Sequence, residues 1–490
     1  LKSRIPRAAV GAGVAAASII LAGCVAAPAS DAGPTSLTIG VDAGVPALSA
    51  LDGGGGQELY DSLLRWDGER YHPWLATDWE LSERNHRMVI ELRDDVDFTD
   101  GRHLDAQAVA DFFALVEVSE AILTRQQVGL EIEVTGDYSL EFTSELPIGD
   151  KFMQDVMAGT GIGSPLESEG PTPFEDLVGT GPYLPGEYSV GVSMTFTRNP
   201  DYWNPEAFPY DELTMVQFED RVAGANALKA GQVDAVQIDK SSSADLESAG
   251  FTVSTVASSF ITLVVTDYEG RTVPALGDVR VREAIAMALD QDAILEALEL
   301  GVGTVDDQPF SPTQATYLDG EADRFPYDVA AARALMAEAG YADGFDVVIP
   351  GASVSFYPTS YEPIIQQSLA EIGVRVEFES FSDFGTFLPA LQGGDYPLLL
   401  LSASYDNTIG VIIGASPLFG YFNENETFIG LVEELDEGDP VGQELGRFMA
   451  EQVWYIPIVH YGPVWATTPE VSLKLLRNSL YNLEDFTIAE

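Results

Sequence analysis

A single cysteine, four histidines and only 24 lysine plus arginine side chains stand in this chain of 490 residues. One thiol cannot form an intrachain disulfide, so the folded domains must cohere through packed cores alone. His72, His86, His103 and His460 are scattered, and none stands in a His-Glu-x-x-His or other ligand spacing, so no metal centre is expected. Against the few cations stand 78 Asp plus Glu, a formal charge of -54. So acidic a chain repels phosphate polymers and anionic lipid, which excludes nucleic-acid binding. It is not the composition of a disordered chain, because 46% hydrophobic and 10% aromatic residues suffice for packed cores.

Catalytic constellations are missing too. Asp52-Gly53-Gly54-Gly55-Gly56 could cradle a phosphate, yet no Lys-Ser/Thr follows, and the run reads as a flexible connector. Gly159-Thr160-Gly161-Ile162-Gly163 and Gly301-Val302-Gly303 lack the strand-to-helix context of a dinucleotide site. There is no Gly-x-Ser-x-Gly elbow, and no Ser-x-x-Lys with the partners of a lactam hydrolase. Carboxylates are too numerous for any pair to stand out for glycoside hydrolysis. The reading is therefore non-enzymatic and without cofactor; an exported hydrolase would need a nucleophile, base and oxyanion donors that the sequence does not display.

What is present begins at the amino terminus. Lys2, Arg4 and Arg7 precede a fourteen-residue apolar run, Ala8 to Leu21, which ends in Leu21-Ala22-Gly23-Cys24. The run falls short of the roughly 18–25 residues that cross a bilayer and has the basic start and small-residue end of a secretory signal. Leu-Ala-Gly-Cys resembles the bacterial lipobox, which implies cleavage before Cys24 and lipidation of its thiol. The plainer alternative makes Cys24 an incidental residue after an ordinary cleavage site. Val25 to Pro34, rich in Ala, Pro, Ser, Asp and Gly, reads as a flexible tether.

Strand and helix signals alternate along the remainder. Leu37 to Val41 reads as a short strand, Gln57 to Leu64 as helical, and Val89 to Leu92 as a strand beside the turn Asp100-Gly101. Asp105 can cap a helix over Ala106 to Val116. Ala225 to Ala230 looks helical, Gly231 suits the left-handed residue after it, and Val233 to Ile238 alternates as a strand. Asp278 can cap a helix with Val281, Ile285, Ala288 and Leu289 on one face, and Asp328 another with Ala332, Leu335, Met336 and Ala339. Ile365, Leu369 and Ile372 define a third, stopped by Gly373 and followed by Val374, Val376 and Phe378 at a strand's period. Leu398 to Leu401 is a continuous apolar strand of the kind buried in a parallel or mixed sheet. The class is α/β, and the length favours two or three lobes.

Three early segments carry a resemblance: Glu58-Leu59-Tyr60-Asp61-Ser62-Leu63-Leu64-Arg65-Trp66-Asp67-Gly68, Pro73-Trp74-Leu75-Ala76-Thr77-Asp78-Trp79-Glu80 and Leu92-Arg93-Asp94-Asp95-Val96-Asp97-Phe98-Thr99-Asp100-Gly101. Val178-Gly179-Thr180-Gly181-Pro182-Tyr183, Arg198-Asn199-Pro200-Asp201-Tyr202-Trp203, Ala227-Leu228-Lys229-Ala230-Gly231-Gln232-Val233-Asp234, Asp278-Val279-Arg280-Val281-Arg282-Glu283-Ala284 and Ala339-Gly340-Tyr341-Ala342-Asp343-Gly344-Phe345 follow in order. Together they resemble the family-5 extracellular solute-binding proteins, the peptide, oligopeptide and nickel receptors of ABC importers. Locally, Arg280 and Arg282 are expected to pair with nearby carboxylates, and Tyr202 and Trp203 to pack a sheet edge.

The resemblance implies a two-lobed periplasmic-binding-protein-like clamshell with an extra subdomain inserted in the first lobe. The implied divisions are a leader at 1–23, lipidated Cys24 and tether at 24–35, and a first lobe at 36–258 with the insert at about 57–178. A second lobe at 259–451 and a return to the first at 452–490 complete them. Gly179 and Gly181 are read as hinge residues, where the chain passes between lobes. In peptide-binding members an Asp in a Trp-rich segment pairs with the peptide ammonium; the corresponding stretch here is Leu401-Ser402-Ala403-Ser404-Tyr405-Asp406-Asn407. Asp406 is the candidate anchor, or else a loop cap, with Tyr405 and Asn407 beside it where the usual Trp is missing. Tyr357 is a further candidate pocket aromatic. From Val376 through Gly446 there is no Lys or Arg against 13 Asp plus Glu, which suits a neutral or cationic ligand if this stretch lines the cleft; shared surface bias accounts for it equally. The implied function is a monomeric receptor, held outside the cytoplasm on the bacterial membrane by lipid, that delivers a short peptide to an ABC permease and its ATPase. An oligosaccharide or metal chelate is the alternative ligand, bare nickel is disfavoured by the scattered histidines, and an adhesin or chaperone without transport is a further class.

Overall fold

Leu37 and Ile39, buried at a period of two, set strand Ser36–Val41 in the middle of a seven-stranded sheet. The computed structural model describes residues 35–41, 56–68, 70–82, 86–118, 130–144, 148, 152–164, 174–351, 357–381, 386, 389, 396–405, 424–434, 439–476 and 482–489. Glu212–Gln217 and Ala235–Ile238 run parallel to the central strand on either side. Helix Arg221–Lys229 links them, its first turn capped by Asp220, which accepts from the Ala223 amide. Ser193–Arg198 and Tyr183–Ser189 extend one edge antiparallel, while Val464–Thr467 and Thr252–Thr255 extend the other. One face packs Ile39, Phe196, Leu213 and Trp465 into a core shared with the antiparallel four-stranded sheet made by Ala76–Ser82, Arg87–Leu92, Ser139–Ser144 and Leu130–Gly136. The other face packs Val236, Ile238, Val464 and Ala466 against Ala225 and Leu228.

A separate core gathers the apolar faces of helices Val279–Met287, Gln291–Glu299, Val329–Glu338 and Tyr361–Ala370. They cover a three-stranded sheet, in order Leu398–Ser404, Ser259–Val265 and Tyr455–Tyr461, and a parallel pair, Phe345–Pro350 with Val374–Glu379. Asp278 and Asp328 cap their helices through the Arg280 and Ala331 amides, and Gly340 and Gly373 take positive φ at the ends.

Several expectations change. Gln57 to Leu64 is a turn running into strand Leu64–Trp66, because its carbonyls are claimed from outside any helix. Tyr183 donates to Glu58, Gly181 to Leu59, Ile162 to Asp61 and Ala76 to Leu63. Leu398–Ser404 pairs antiparallel with Ser259–Val265, so its unbroken apolar run reports burial on both faces and not strand direction. The return to the first lobe, expected from residue 452, comes after Tyr461: strand Tyr455–Tyr461 pairs with Ser259–Val265 and belongs to the second core. Arg280 pairs with Asp278 at 2.5 Å. Arg282 instead donates to three backbone carbonyls, of Gln452 (2.8 Å), Leu276 (2.7 Å) and Tyr268 (3.3 Å), and its burial pushes the guanidinium pKa down to about 10.

Tyr202 and Trp203 also do more than pack an edge. The Asp61 carboxylate, fully buried, accepts from the Trp74 indole (2.6 Å) and the Tyr202 hydroxyl (2.9 Å) at one oxygen and from the Trp203 indole (3.0 Å) at the other. Arg65 stands 3.8 Å away, over the Trp74 ring, and is held by Glu484 at 3.1 Å. Burial pushes the Asp61 carboxyl upward, while Arg65 and the three donors pull the other way. Asp61→Ala would take the acceptor from the buried Tyr202 hydroxyl and the two part-buried indoles and leave the buried Arg65 with Glu484 as its one carboxylate among the described residues. The expected loss is roughly 3–5 kcal/mol, read as a lower urea midpoint of the first lobe by tryptophan fluorescence.

Candidate functional site

The chain leaves the large sheet after Thr255 and enters the three-stranded sheet at Ser259; it goes back between Tyr461 and Val464. The two passages lie side by side. The Ser258 amide donates to the Tyr461 carbonyl at 3.0 Å, and the Thr255 hydroxyl to the Pro463 carbonyl at 3.0 Å. A Cβ on Gly462 would stand 1.9 Å from the Val256 carbonyl oxygen, so any side chain there would force the passages apart.

Tyr405 reaches the same point from the end of strand Leu398–Ser404. Its amide donates to the Ser258 carbonyl at 3.3 Å, and its own carbonyl accepts from the Gln314 side chain at 3.1 Å. Its ring stacks on Phe260 and on His460, each with centroids 5.6 Å apart, and Phe260 stacks on His460 at 5.4 Å. His460 Nε2 lies 2.8 Å from the Asp306 carbonyl oxygen, which can only accept, so Nε2 carries the proton. Nδ1 then accepts from the Tyr405 hydroxyl at 2.6 Å. Burial pushes the His460 pKa down to about 4, which keeps the ring neutral. Three stacked, neutral rings thus pin the last described residue before Asp406 to the passages between lobes.

Of the residues singled out from sequence, Tyr405 alone is placed here. Asp406 and Asn407, like Cys24, lie outside the described residues. Tyr357 is buried in the second core, where its hydroxyl donates to the Pro350 carbonyl and to Glu362, each at 3.2 Å. Gly179 and Gly181 sit in the first lobe against the segment Leu59-Tyr60: a Cβ would come within 2.1 Å of the Leu59 oxygen at Gly179 and within 2.3 Å of the Leu59 carbonyl carbon at Gly181. Close backbone packing explains these glycines, and the chain changes sheets at 256–258 and 462–463. Sequence reasoning passed over Gly462-Pro463, although two turn residues between apolar strands were a visible sign of the return passage. His460 was likewise out of reach, since nothing in its spacing names Tyr405 as a partner.

Among the described residues no group of three or more His, Cys, Asp or Glu side chains could hold a metal ion, and no helix is long and apolar enough to cross a membrane. Comparison with known proteins places the chain. Residues 70–411 match the model of the bacterial extracellular solute-binding proteins, family 5, middle. Di/tripeptide-binding protein 3 of Pseudomonas aeruginosa is 21% identical over 490 residues, covering 87% of this chain and 89% of that protein. Di/tripeptide-binding protein 1 of the same organism is 28% identical over 247 residues, 47% of this chain and 43% of that one. Among solved structures, HbpA2 from Haemophilus parasuis superposes with a TM-score of 0.80 at 20% identity, over 93% of this chain and 100% of that chain. NikA from Brucella suis in complex with Fe(III)-EDTA gives 0.74 at 18% identity, over 92% and 99%. The fold is their two-lobed α/β clamshell, and the chain belongs to the bacterial extracellular solute-binding proteins of family 5.

Proposed function

We propose that this chain is the lipid-anchored receptor of an ABC importer and that it captures a short peptide between its lobes. The observation that carries the reading is the pinned end of strand Leu398–Ser404, where Tyr405, the residue before Asp406 in the sequence, is bonded to Ser258 in one passage and to His460 just ahead of the other. In this reading Asp406 supplies the carboxylate that meets a ligand's ammonium as the lobes close. The passages at 256–258 and 462–463 are the hinge in this reading, in place of Gly179 and Gly181. The di/tripeptide-binding names of relatives that match this chain support the peptide class. The lobes in this reading meet at these passages, and Cys24 with its tether holds them near the permease, where effective concentration is high. A metal chelate remains the second reading, favoured by the Fe(III)-EDTA complex of a structural neighbour.

Native mass spectrometry followed by thermal-shift screening of peptides, sugars and chelates decides between them. At ~100-fold excess over Kd a true ligand adds about 2.7 kcal/mol, a readily visible shift. Peptides should give it; a shift with a sugar or chelate and none with any peptide overturns the reading. Asp406→Lys should weaken peptide binding at least ~10-fold by replacing an attractive charge with a repulsive one, and unaltered affinity removes the anchor.

His460 also gives a pH prediction. Its folded pKa of about 4 lies below the unfolded value near ~6.5, so the unfolded state binds the proton first as pH falls. This contribution is fully present above ~6.5 and is lost as pH drops through about 4, in all roughly 3 kcal/mol. His460→Gln, which keeps a donor towards Asp306 and does not titrate, should remove that share of the acid sensitivity measured by urea unfolding across this window. An unchanged pH profile would contradict the assignment of a buried neutral ring.

A further inference from the structure

The ion pair between Lys240 and Glu299 joins the two lobes directly. Lys240 stands just past strand Ala235–Ile238, ahead of the short helix Ser243–Ser248 whose Leu246 packs on the large sheet. Glu299 ends helix Gln291–Glu299, whose Ile294 belongs to the second core. Lys240 Nζ lies 2.6 Å from Glu299 Oε2, with the Glu299 side chain 9% and the Lys240 side chain 35% exposed. The Tyr361 hydroxyl donates to Oε1 at 2.7 Å, so both carboxylate oxygens are engaged, one from each lobe.

Local structure does not account for Glu299. An anion in the last turn of a helix opposes the helix dipole, and a buried carboxylate is costly without partners. The next residue, Leu300, adopts φ 55, the left-handed conformation that favours glycine, and is exposed. Val302 then packs against the Val236, Ile238 and Val464 cluster of the first lobe, and Thr304 exchanges backbone hydrogen bonds with His460 at 2.9 and 2.8 Å. Two local costs fall together on the segment where the second lobe touches the first.

We propose that Lys240, Glu299 and Tyr361 form an interlobe latch: the pair holds the lobes at the angle of this structure and sets the balance between that angle and the others the clamshell adopts. The latch does not depend on what the ligand is. Tyr361 aims the carboxylate, and Lys240, being the more exposed partner, is the group that lets go. Because the balance multiplies into apparent affinity, the latch also sets how much of the receptor is ready for ligand.

The test is an interlobe distance measurement on the ligand-free full chain. Spin labels go on Val222→Cys, in helix Arg221–Lys229, and Tyr327→Cys, both more than half exposed. Cys24→Ser removes the one native thiol. Lys240→Met keeps the apolar stem and removes the charge. It should move the population ratio of distances about five-fold, the size of a partly buried coupling, with secondary structure unchanged. Tyr361→Phe should move it part of the way, and molar salt should shift the parent towards Lys240→Met while leaving that variant where it is. The charge-swapped Lys240→Glu with Glu299→Lys should return the parent distribution. If Lys240→Met superimposes on the parent, or if salt shifts both alike, the pair is only a local contact and the latch is wrong.

Discussion

The second lobe is attached to the first by two passages of three and two residues that touch each other along their length. Their contact depends on one missing side chain, at Gly462, which lets the returning chain lie on the Val256 carbonyl. Both passages are further tied by the Ser258 to Tyr461 and Thr255 to Pro463 hydrogen bonds, which join them side by side as one strip. In the reading proposed above, this strip is the hinge about which the lobes turn. Tyr405 is bonded to Ser258 in that strip, so in the same reading it stands close to the hinge.

Away from the passages, the first lobe is organised by a carboxylate. Asp61 and Trp74 stand 13 positions apart and the Tyr202-Trp203 pair 141 and 142 positions beyond Asp61, and each supplies one arm of the same network. A single buried anion with three neutral donors and Arg65 nearby specifies one arrangement of those segments, since any slip leaves a polar group unpaired. Arg282 does the equivalent in the second lobe with the signs exchanged. A guanidinium donating to Gln452, Leu276 and Tyr268 fastens a helix, the loop ahead of it and the end of a distant helix. Without disulfides to fix topology among the described residues, such buried single charges supply the specificity that apolar packing lacks.

This division explains which parts were legible in the sequence. Periodicity and caps located the helices at Asp278 and Asp328 and the strand after Gly373, because those features are local and each residue's neighbours carry the signal. The segment Gln57 to Leu64 was misread as helix because its carbonyl partners are residues 76, 162, 181 and 183, which no local window includes. The roles of Tyr202, Trp203 and Arg282 failed for the same reason: their partners are more than a helical turn away, and the residue type alone permits several. Gly179 and Gly181 were assigned to flexibility, whereas glycine also serves close approach, and only Leu59 packed against them distinguishes the two. Tyr405 drew attention in the sequence only as the neighbour of Asp406, and its contacts with Phe260 and His460, 145 and 55 positions away, were out of reach of any local pattern.

The distribution of cations bears on what the cleft can recognise. Arg87, Arg93, Arg102, Arg198, Arg271, Arg280, Arg333 and Arg375 each pair with a carboxylate of their own lobe, Lys240 crosses between lobes, and Arg65 and Arg282 are buried. A ligand carboxylate that took one of these groups would have to displace a partner already in place, and the displaced acid would face a surface of like charge. An ammonium meets no such competition in a chain with 78 carboxylates. Under the peptide reading proposed above, a ligand would lead with its positive or neutral end and leave any carboxylate to backbone amides, where a helix amino terminus or an open strand edge costs no existing ion pair.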